Sequence, residues 1–348
     1  MKKKYYTIEL LRFFSSLGVI FFHYKAGFAW NKGFVSNENL TNTLPLYEYL
    51  NILYNYGFYG VQFFFAISGF VFSHIYLNKN RLISSKEFFI NRFARLYPLH
   101  FATLVILIFY KFIDPDFINQ NFNLVKGTYF DFYHFFLNIF FIHSWGFEKG
   151  WSFNPPSWSI SVEIGVYIIF FLFISFLKTY KIKLSLAIVV LLFIFYKIPS
   201  LHFKYSEFIL LFFIGVAVNQ LKEKIKGNTV LILSVIFLCI SFYGRNFKIL
   251  LFCPSLLIIG VIMDNYVNNS NVKNLFSFLG NTTYSLYLLH YPFMFIFLWL
   301  ETRYIFFKDF YQNYFFFLFY LSSLVAISAS SFYFFERPFN QKIRAKFL

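Results

Sequence analysis

Long apolar runs separated by short polar segments cover most of the chain. Most runs have about the length that a helix needs to cross the ~30 Å hydrocarbon core of a bilayer, roughly 20 residues. The pattern therefore predicts an all-α, polytopic membrane protein with about ten transmembrane helices. The predicted spans are 8–28, 57–76, 88–113, 157–177, 184–199, 205–221, 229–245, 248–266, 279–300 and 314–335.

One apolar run does not fit this series, because 132–147 is too short to span the bilayer. We interpret it as a re-entrant or interfacial piece on the outer face. The longest loops, 29–56 and 114–156, are expected on that same face. With no internal repeat and no linker in the sequence, residues 1–348 are predicted to form a single domain.

Composition supports a membrane location and explains the excess of basic residues. The chain of 348 residues is 59% hydrophobic and only 13% charged, about half of the ~25% charged residues in soluble domains. Its net charge is +16, and if the N-terminus is cytoplasmic, 19 of the 31 Lys and Arg residues fall on the cytoplasmic side and 11 outside. This asymmetry follows the positive-inside rule, so we expect both termini in the cytoplasm and no nucleic-acid partner.

The ends and the cysteines add little chemistry. No small-residue cleavage site follows the first apolar run, so we expect no removable signal peptide. Two cysteines, Cys239 and Cys253, lie in apolar surroundings and give neither a disulfide framework nor a metal cluster. No zinc, phosphate-loop, nucleophile-elbow or dinucleotide signature is present, and no metal site is predicted.

Two ionisable residues share a face of the first predicted span. Arg12 and His23 are eleven residues apart, which at 100° per residue places them about 20° from a common stripe. An arginine in the bilayer costs at least ~2.5 kcal/mol unless it faces a polar interior. Arg12 either faces such an interior or snorkels to the headgroups and pairs with Glu9. His23 lies deeper, and we expect it to be functional.

A pair of arginines lies near the cytoplasmic end of the third predicted span. Arg92 and Arg95 are three residues apart and share a helix face. Two adjacent guanidinium groups suit a pyrophosphate, which offers bidentate pairs of oxygens. Ordinary positive-inside anchoring is the alternative. Pro98 follows and is expected to bend the helix.

The fourth predicted span opens with a polar segment. Ser157 is a good N-cap after Pro155 and Pro156, and Ser159 and Glu163 share a face four residues apart. Glu163 is expected at a depth similar to His23, where a carboxylate could orient the imidazole and make it a competent base. A lone carboxylate in a water-filled vestibule is the alternative, because spacing does not reveal which helices touch.

A stripe of aromatic residues and one histidine lies on the ninth predicted span. Tyr284, Tyr287, His290 and Tyr291 recur at helical spacing before Pro292. Such a stripe is typical of helix packing, and direct chemistry by His290 is the alternative.

Six segments, taken together and in this order, resemble the acyltransferase-3 family of integral membrane acyltransferases, which includes bacterial glycan O-acetyltransferases. The similarity extends from Glu9 to Phe339. Two departures are mild: Glu9 stands where an aspartate is common, and Gln62 where an acid is common. The matching segments are Glu9-x-x-Arg12 with His23, Gly60–Phe70, Asn91–Pro98, Ser157–Glu163, Leu279–His290 and Phe335–Phe339.

The resemblance implies transfer of an acetyl or other short acyl group to a hydroxyl of a cell-surface or lipid-linked glycan. The donor would be cytoplasmic acetyl-CoA, with its phosphates held by Arg92 and Arg95 and its arm passing Arg12. His23 would act as general base or carry the acyl group, oriented by Glu163. The acceptor side would be lined by Trp158, Ser159, Ser161, Tyr287 and His290.

The resemblance further implies a bacterial inner-membrane protein. The chain ends about a dozen residues after the last predicted span, so the esterase-like domain often fused to family members is expected to be unnecessary or supplied by another protein. The identity of the acceptor, the acyl length and the oligomeric state are left open.

Two other functional classes are alternatives. A transporter or flippase of a lipid-linked sugar would also place Arg and His within the membrane. It predicts inverted repeats with interrupted helices at matching positions, which the sequence lacks. A structural membrane subunit leaves Arg12, His23 and Glu163 without explanation.

Overall fold

A computed structural model of the chain describes residues 4–29, 43–78, 82–117, 129–198, 205–222, 224, 227–243, 248–307 and 309–348. These residues are mainly helical, and among them the extended pairing is a single isolated bridge between Tyr129 and Ser152. The helices are α1 (Tyr6–Tyr24), α2 (Tyr47–Tyr56), α3 (Gly60–Phe72), α4 (Ser85–Ile113), α5 (Phe132–Ile139), α6 (Trp158–Lys197), α7 (Ser206–Leu221), α8 (Asn228–Ser241), α9 (Ile249–Met263), α10 (Ser270–Arg303), α11 (Tyr314–Ser331) and α12 (Arg337–Phe347).

The prediction of an all-α polytopic membrane protein is confirmed. Within the described residues, six helical segments are long and apolar enough to cross a membrane. Helices α7 and α8 are apolar but shorter. The count of ten spans and the sidedness of the termini stay predictions. The six segments are Tyr47–Leu77, Ser85–Ile113, Pro155–Lys197, Ile249–Tyr266, Ser270–Arg303 and Tyr314–Phe347.

Each predicted span overlaps a helix, and two details of the connections are informative. Helix α6 contains a break at Lys181, whose φ is 47°, and this break lies between the predicted spans 157–177 and 184–199. Helix α5 has eight residues, or about 12 Å at 1.5 Å per residue, so it is too short to span. The ends of spans 184–199 and 229–245 and large parts of both long loops lie outside the described residues.

Contacts group the chain into two compact units, each assembled from separate stretches of sequence. Unit 1 comprises Met1–Ser15, Tyr59–Ser85 and Gly165–Asn281, and unit 2 comprises Ser16–Phe58, Lys86–Ile164 and Thr282–Leu348. Three of the five boundaries fall within α1, α6 and α10, and the other two lie before α3 and at the start of α4. The single-domain prediction for 1–348 stays a prediction.

Unit 1 is held by close packing of α3 against α7. A Cβ on Gly69 would lie 1.8 Å from the carbonyl oxygen of Phe212, and one on Gly215 would lie 1.9 Å from that of Ala66. Glycine at these two positions therefore allows the helix backbones to meet. The amide of Asn219 also donates a hydrogen bond to the hydroxyl of Ser73 over 2.7 Å.

Unit 2 packs the C-terminal half of α1 against α10. The hydroxyl of Ser16 donates to the carbonyl of Thr283 over 3.2 Å. Seven residues further along both helices, His23 lies beside His290. Equal steps along both chains mean that the two helices run parallel here, and two helical turns separate the contacts. This parallel pair carries the candidate site.

Candidate active site

Two histidine rings form the centre of the polar cluster in unit 2. His23 Nδ1 lies 3.2 Å from His290 Nε2, and the ring centroids are 4.9 Å apart. His23 Nδ1 also lies 3.0 Å from the carbonyl oxygen of Val19. His290 Nδ1 lies 2.6 Å from the carbonyl oxygen of Tyr287. The structure therefore joins two residues that the sequence assigned to separate roles.

The two histidines differ in their access to solvent. His290 is 0% exposed, and the hydroxyl of Tyr320 donates to its backbone carbonyl over 3.3 Å. His23 is partly exposed and has the ring of Tyr291 edge-on, with centroids 6.4 Å apart. His23 is consequently the more accessible of the two rings, whereas His290 is enclosed.

Helix α10, which carries His290, contains Pro292, and a side chain from another segment supplies the hydrogen-bond donor that this proline lacks. Pro292 has no backbone N–H, so the carbonyl of Leu288, four residues earlier, lacks its helical partner. The side-chain amide of Asn154 donates to that carbonyl over 3.1 Å, and Asn154 is buried. The segment preceding α6 thereby fixes the turn of α10 that carries His290.

Glu163 lies elsewhere in the cluster than the sequence suggested. In the described part of unit 2, His23 forms hydrogen bonds with Val19 and His290 and none with Glu163. The Glu163 carboxylate instead interacts electrostatically with the hydroxyls of Tyr284 and Tyr287. The structure thus couples this carboxylate to the tyrosine stripe of α10.

Two of the residues expected on the acceptor side bond to each other. The hydroxyls of Ser159 and Tyr287 are 2.8 Å apart, and Tyr287 donates to the carbonyl of Pro156 over 2.8 Å. Because the single hydroxyl proton of Tyr287 goes to Pro156, Ser159 is the donor to Tyr287. These bonds attach the start of α6 to α10.

Ser161 and Trp158 lie in different surroundings. The buried hydroxyl of Ser161 donates to the carbonyl of Phe141 over 2.6 Å and accepts from the backbone N–H of Ser144 over 3.1 Å. Ser161 therefore anchors the segment after α5. Trp158 is partly exposed, and its ring lies 6.4 Å from that of Trp151.

A second buried histidine network joins His143, which lies outside the predicted spans, to α4 and to the start of α6. His143 Nε2 is 3.1 Å from the hydroxyl of Ser157, and its ring stacks on that of His100 with centroids 5.7 Å apart. Burial lowers the pKa of His143 to about 4, so the ring is neutral at pH 7. Ser157, expected only as a helix cap, is fully buried in this network.

Arg95, one of the two arginines of the pair on α4, contacts a buried carboxylate. Arg95 Nη1 lies 3.1 Å from Glu336 Oε2, and the two side chains are 27% and 3% exposed. The hydroxyl of Ser285 also donates to Glu336, and the Arg95 guanidinium lies 5.4 Å from the centroid of the Tyr284 ring. Arg92 is partly exposed on the same helix face.

Arg12 belongs to unit 1. Its Nη1 lies 3.1 Å from Glu9 Oε2, and the side chains are 28% and 20% exposed. The ion pair expected under the snorkelling interpretation is therefore present. In the part of the chain that the structure describes, no group of three or more His, Cys, Asp or Glu side chains could hold a metal ion.

Comparison with known proteins identifies the family of this chain. The model of the acyltransferase domain family matches residues 5–336, nearly the whole chain. The chain belongs to the acyltransferase-3 family. The resemblance read from its motifs is thus confirmed.

Two curated proteins are similar to this chain. Peptidoglycan O-acetyltransferase OatA of Listeria monocytogenes is 24% identical over 334 residues, which covers 82% of this chain and 49% of OatA. Acyltransferase MdmB of Streptomyces mycarofaciens is 32% identical over 118 residues, which covers 33% of this chain and 27% of MdmB. The chain therefore spans at most about half the length of either relative. No solved structure matches it.

Sequence reasoning missed two residues of this acyltransferase-3 site. Glu336 belongs to the motif Phe335–Phe339 and lies one residue beyond the span predicted at 314–335. From the sequence alone it is assigned no role. An acidic residue at the end of a span is a candidate functional residue by its charge alone. In the structure, Glu336 contacts Arg95 and Ser285, which both belong to motifs. Asn154 could have been found from Pro292, because a proline within a helix requires another donor for the freed carbonyl.

Proposed function

We propose that the protein is an integral membrane O-acyltransferase of a bacterial inner membrane. It transfers an acetyl or other short acyl group from acyl-CoA to a hydroxyl of a cell-surface or lipid-linked glycan. Membership in the acyltransferase-3 family supports the reaction class. The name of OatA, a peptidoglycan O-acetyltransferase, supports a glycan acceptor.

The observation that carries this proposal is the partly exposed His23 with its Nδ1 already bonded. A carbonyl oxygen only accepts hydrogen bonds, so the contact with Val19 requires a proton on Nδ1 of His23. The neutral ring then keeps a lone pair on Nε2. A lone pair on an accessible imidazole is what a general base needs.

The proposed step balances with this single base. Nε2 of His23 takes the proton of the acceptor hydroxyl as the hydroxyl oxygen attacks the thioester carbonyl. The carbon–sulfur bond then breaks, and the leaving thiolate of CoA takes the proton back from His23. If His23 instead carries the acyl group, the same Nε2 attacks the thioester carbonyl first and the carbon–sulfur bond breaks to release the CoA thiolate. The acceptor oxygen then takes the acyl group from Nε2 as the nitrogen–carbon bond breaks, and the hydroxyl proton goes to the thiolate. Rapid-quench trapping of an acyl-enzyme distinguishes the two routes.

The other predicted residues are proposed to bind or arrange the substrates. Arg92 and Arg95 hold the phosphates of the donor, and Arg12 contacts its arm. Glu336 accepts a hydrogen bond from Nη1 of Arg95, but a guanidinium has five N–H donors, so others remain for phosphate. Trp158 lines the acceptor side, and its aromatic face suits a sugar ring.

Ser159, Ser161 and Tyr287 arrange the wall of the proposed acceptor site through their bonds to Pro156 and Phe141. Glu163 sets the electrostatic environment of that wall through Tyr284 and Tyr287. These roles make the start of α6 a positioning element for the acceptor.

The test is an assay of the purified protein in nanodiscs with acetyl-CoA and panels of glycan acceptors. We expect acetyl-CoA consumption coupled to an acetylated glycan, and a higher KM for acetyl-CoA in the Arg92→Ala variant. No binding or consumption of any acyl-CoA would overturn the proposal. Movement of an unmodified lipid-linked sugar across vesicles without acyl transfer would favour the transporter class.

A further inference from the structure

The hydrogen bonds of His290 determine which of its nitrogens carries a proton. Its Nδ1 lies 2.6 Å from the carbonyl oxygen of Tyr287, which can only accept, so Nδ1 is the protonated nitrogen. In a neutral imidazole, Nε2 is then an acceptor. Because His290 is 0% exposed, a neutral ring is the form that burial favours.

This acceptor faces the protonated nitrogen of the other ring. His290 Nε2 is 3.2 Å from His23 Nδ1, which carries a proton because it also contacts the Val19 carbonyl. The Val19 oxygen is already the α-helical acceptor for the backbone N–H of His23, four residues later. His290 consequently supplies His23 with an acceptor that is not shared with the helix.

We infer that His290 is a positioning residue that holds His23 in the Nδ1-protonated form with Nε2 free for proton or acyl transfer. This inference rests on the proposed function and deepens it, and it replaces the substrate-binding role expected for His290. A buried neutral acceptor also stabilises the imidazolium that forms when His23 takes the acceptor proton. The arrangement performs with a histidine what an orienting carboxylate does in other base-assisted sites.

Three substitutions at one position separate this role from packing. His290→Gln places an amide oxygen near the position of Nε2 and keeps an acceptor for His23. His290→Asn places its amide near Nδ1, so it keeps the bond to Tyr287 and loses the acceptor. His290→Phe removes both but retains a ring of similar size.

We expect the Asn and Phe variants to lose about 10- to 100-fold in kcat, a part of the ~10²–10⁴ that a general base contributes. KM for acetyl-CoA and for the acceptor should stay within about twofold, and His290→Gln should recover most of kcat. Thermal unfolding of each variant in nanodiscs controls for folding. Unchanged kcat in His290→Asn, or a raised acceptor KM with unchanged kcat, would overturn the inference.

A second readout does not depend on activity. Nitrogen NMR of the protein with labelled histidine, assigned with a His23→Gln variant, reports which nitrogen of His23 is protonated. We expect Nδ1–H alone in the wild type and a mixture of tautomers in His290→Asn, because the one acceptor then left for Nδ1–H, the Val19 carbonyl, is shared with the backbone N–H of His23. If the wild type consumes no acyl-CoA, the proposed function fails, while this spectrum still decides the inference. A wild-type His23 protonated at Nε2 would contradict it.

Discussion

Asn154 donates its side-chain amide to the carbonyl of Leu288 over 3.1 Å, at the point where Pro292 removes the helical donor. The bond ties the segment before α6 to the turn of α10 that carries His290. The hydrogen bond that Pro292 cannot form within α10 is thus replaced by one that attaches the segment before α6 close to the proposed base.

The Asn154→Leu variant should be destabilised by about 1–3 kcal/mol, because a buried carbonyl loses its donor. In a Pro292→Ala background the helix regains its own N–H donor to Leu288. The same Asn154→Leu change should cost less there. Thermal unfolding of the four proteins in nanodiscs gives this double-mutant cycle, and equal costs in both backgrounds would refute the assigned role of Asn154.

Close contact between two glycines positions the C-terminal half of α1. A Cβ on Gly57 would lie 1.9 Å from the carbonyl oxygen of Gly18, whereas a Cβ on Gly18 would lie 3.4 Å from Gly57. We therefore expect Gly57→Ala to cost at least about 1–3 kcal/mol through overpacking, with lower activity because His23 shifts. Gly18→Ala is the matched control and should be close to neutral. Comparable melting temperatures for both variants would show that this contact does not set the helix position.

The buried carboxylate of Glu336 should stabilise the proposed donor end of unit 2. In Glu336→Gln the charge-assisted hydrogen bond to Arg95 is replaced by a neutral one, and we expect a loss of about 1–3 kcal/mol in unfolding free energy. Glu336→Asp keeps the charge but shortens the reach, so it tests geometry separately. Denaturation curves measure both. A Gln variant as stable as the wild type would mean that the ion pair contributes nothing.

The buried His143 should make stability depend on pH. Its pKa in the folded protein is lowered by burial to about 4, whereas in the unfolded chain it is near 6.5. The unfolded chain therefore binds a proton first, so stability is complete above about pH 6.5 and falls as the pH drops towards 4.

The size of this effect is on the order of 3 kcal/mol across that window. Melting temperatures of the wild type and His143→Gln, measured from pH 7.5 to pH 4.5, check it. The wild type should lose more stability than the variant, whose amide can still bond to Ser157. Parallel curves would contradict the burial of an ionisable ring at this position.

The sequence predicted the helices well, because apolar runs and their length report directly on the bilayer. It also selected Arg95, Tyr287, His23 and His290 as unusual residues. It could not pair His23 with His290, because helical spacing orders residues on one helix and carries no information on its neighbour. Glu163 was chosen to orient His23 because carboxylates commonly do so, whereas the hydrogen-bond partners of His23 are Val19 and His290.

The remaining differences have similar physical causes. The bond between Ser159 and Tyr287 depends on the contact between α6 and α10, which neither segment specifies alone. The interpretation of Arg12 was divided between snorkelling with Glu9 and a polar interior, and the ion pair is observed. Residues whose role is local were thus predictable, and residues whose role depends on a second helix were not.

We propose that His23 moves the proton, or the acyl group, in acyl transfer. Measurements of kcat and of the equilibrium affinity for acetyl-CoA, in the wild type and His23→Gln in nanodiscs, test this role. We expect kcat to fall about 10²–10⁴-fold, the contribution of a general base, with donor affinity within about twofold of the wild type. Retention of wild-type kcat by His23→Gln would contradict the claim.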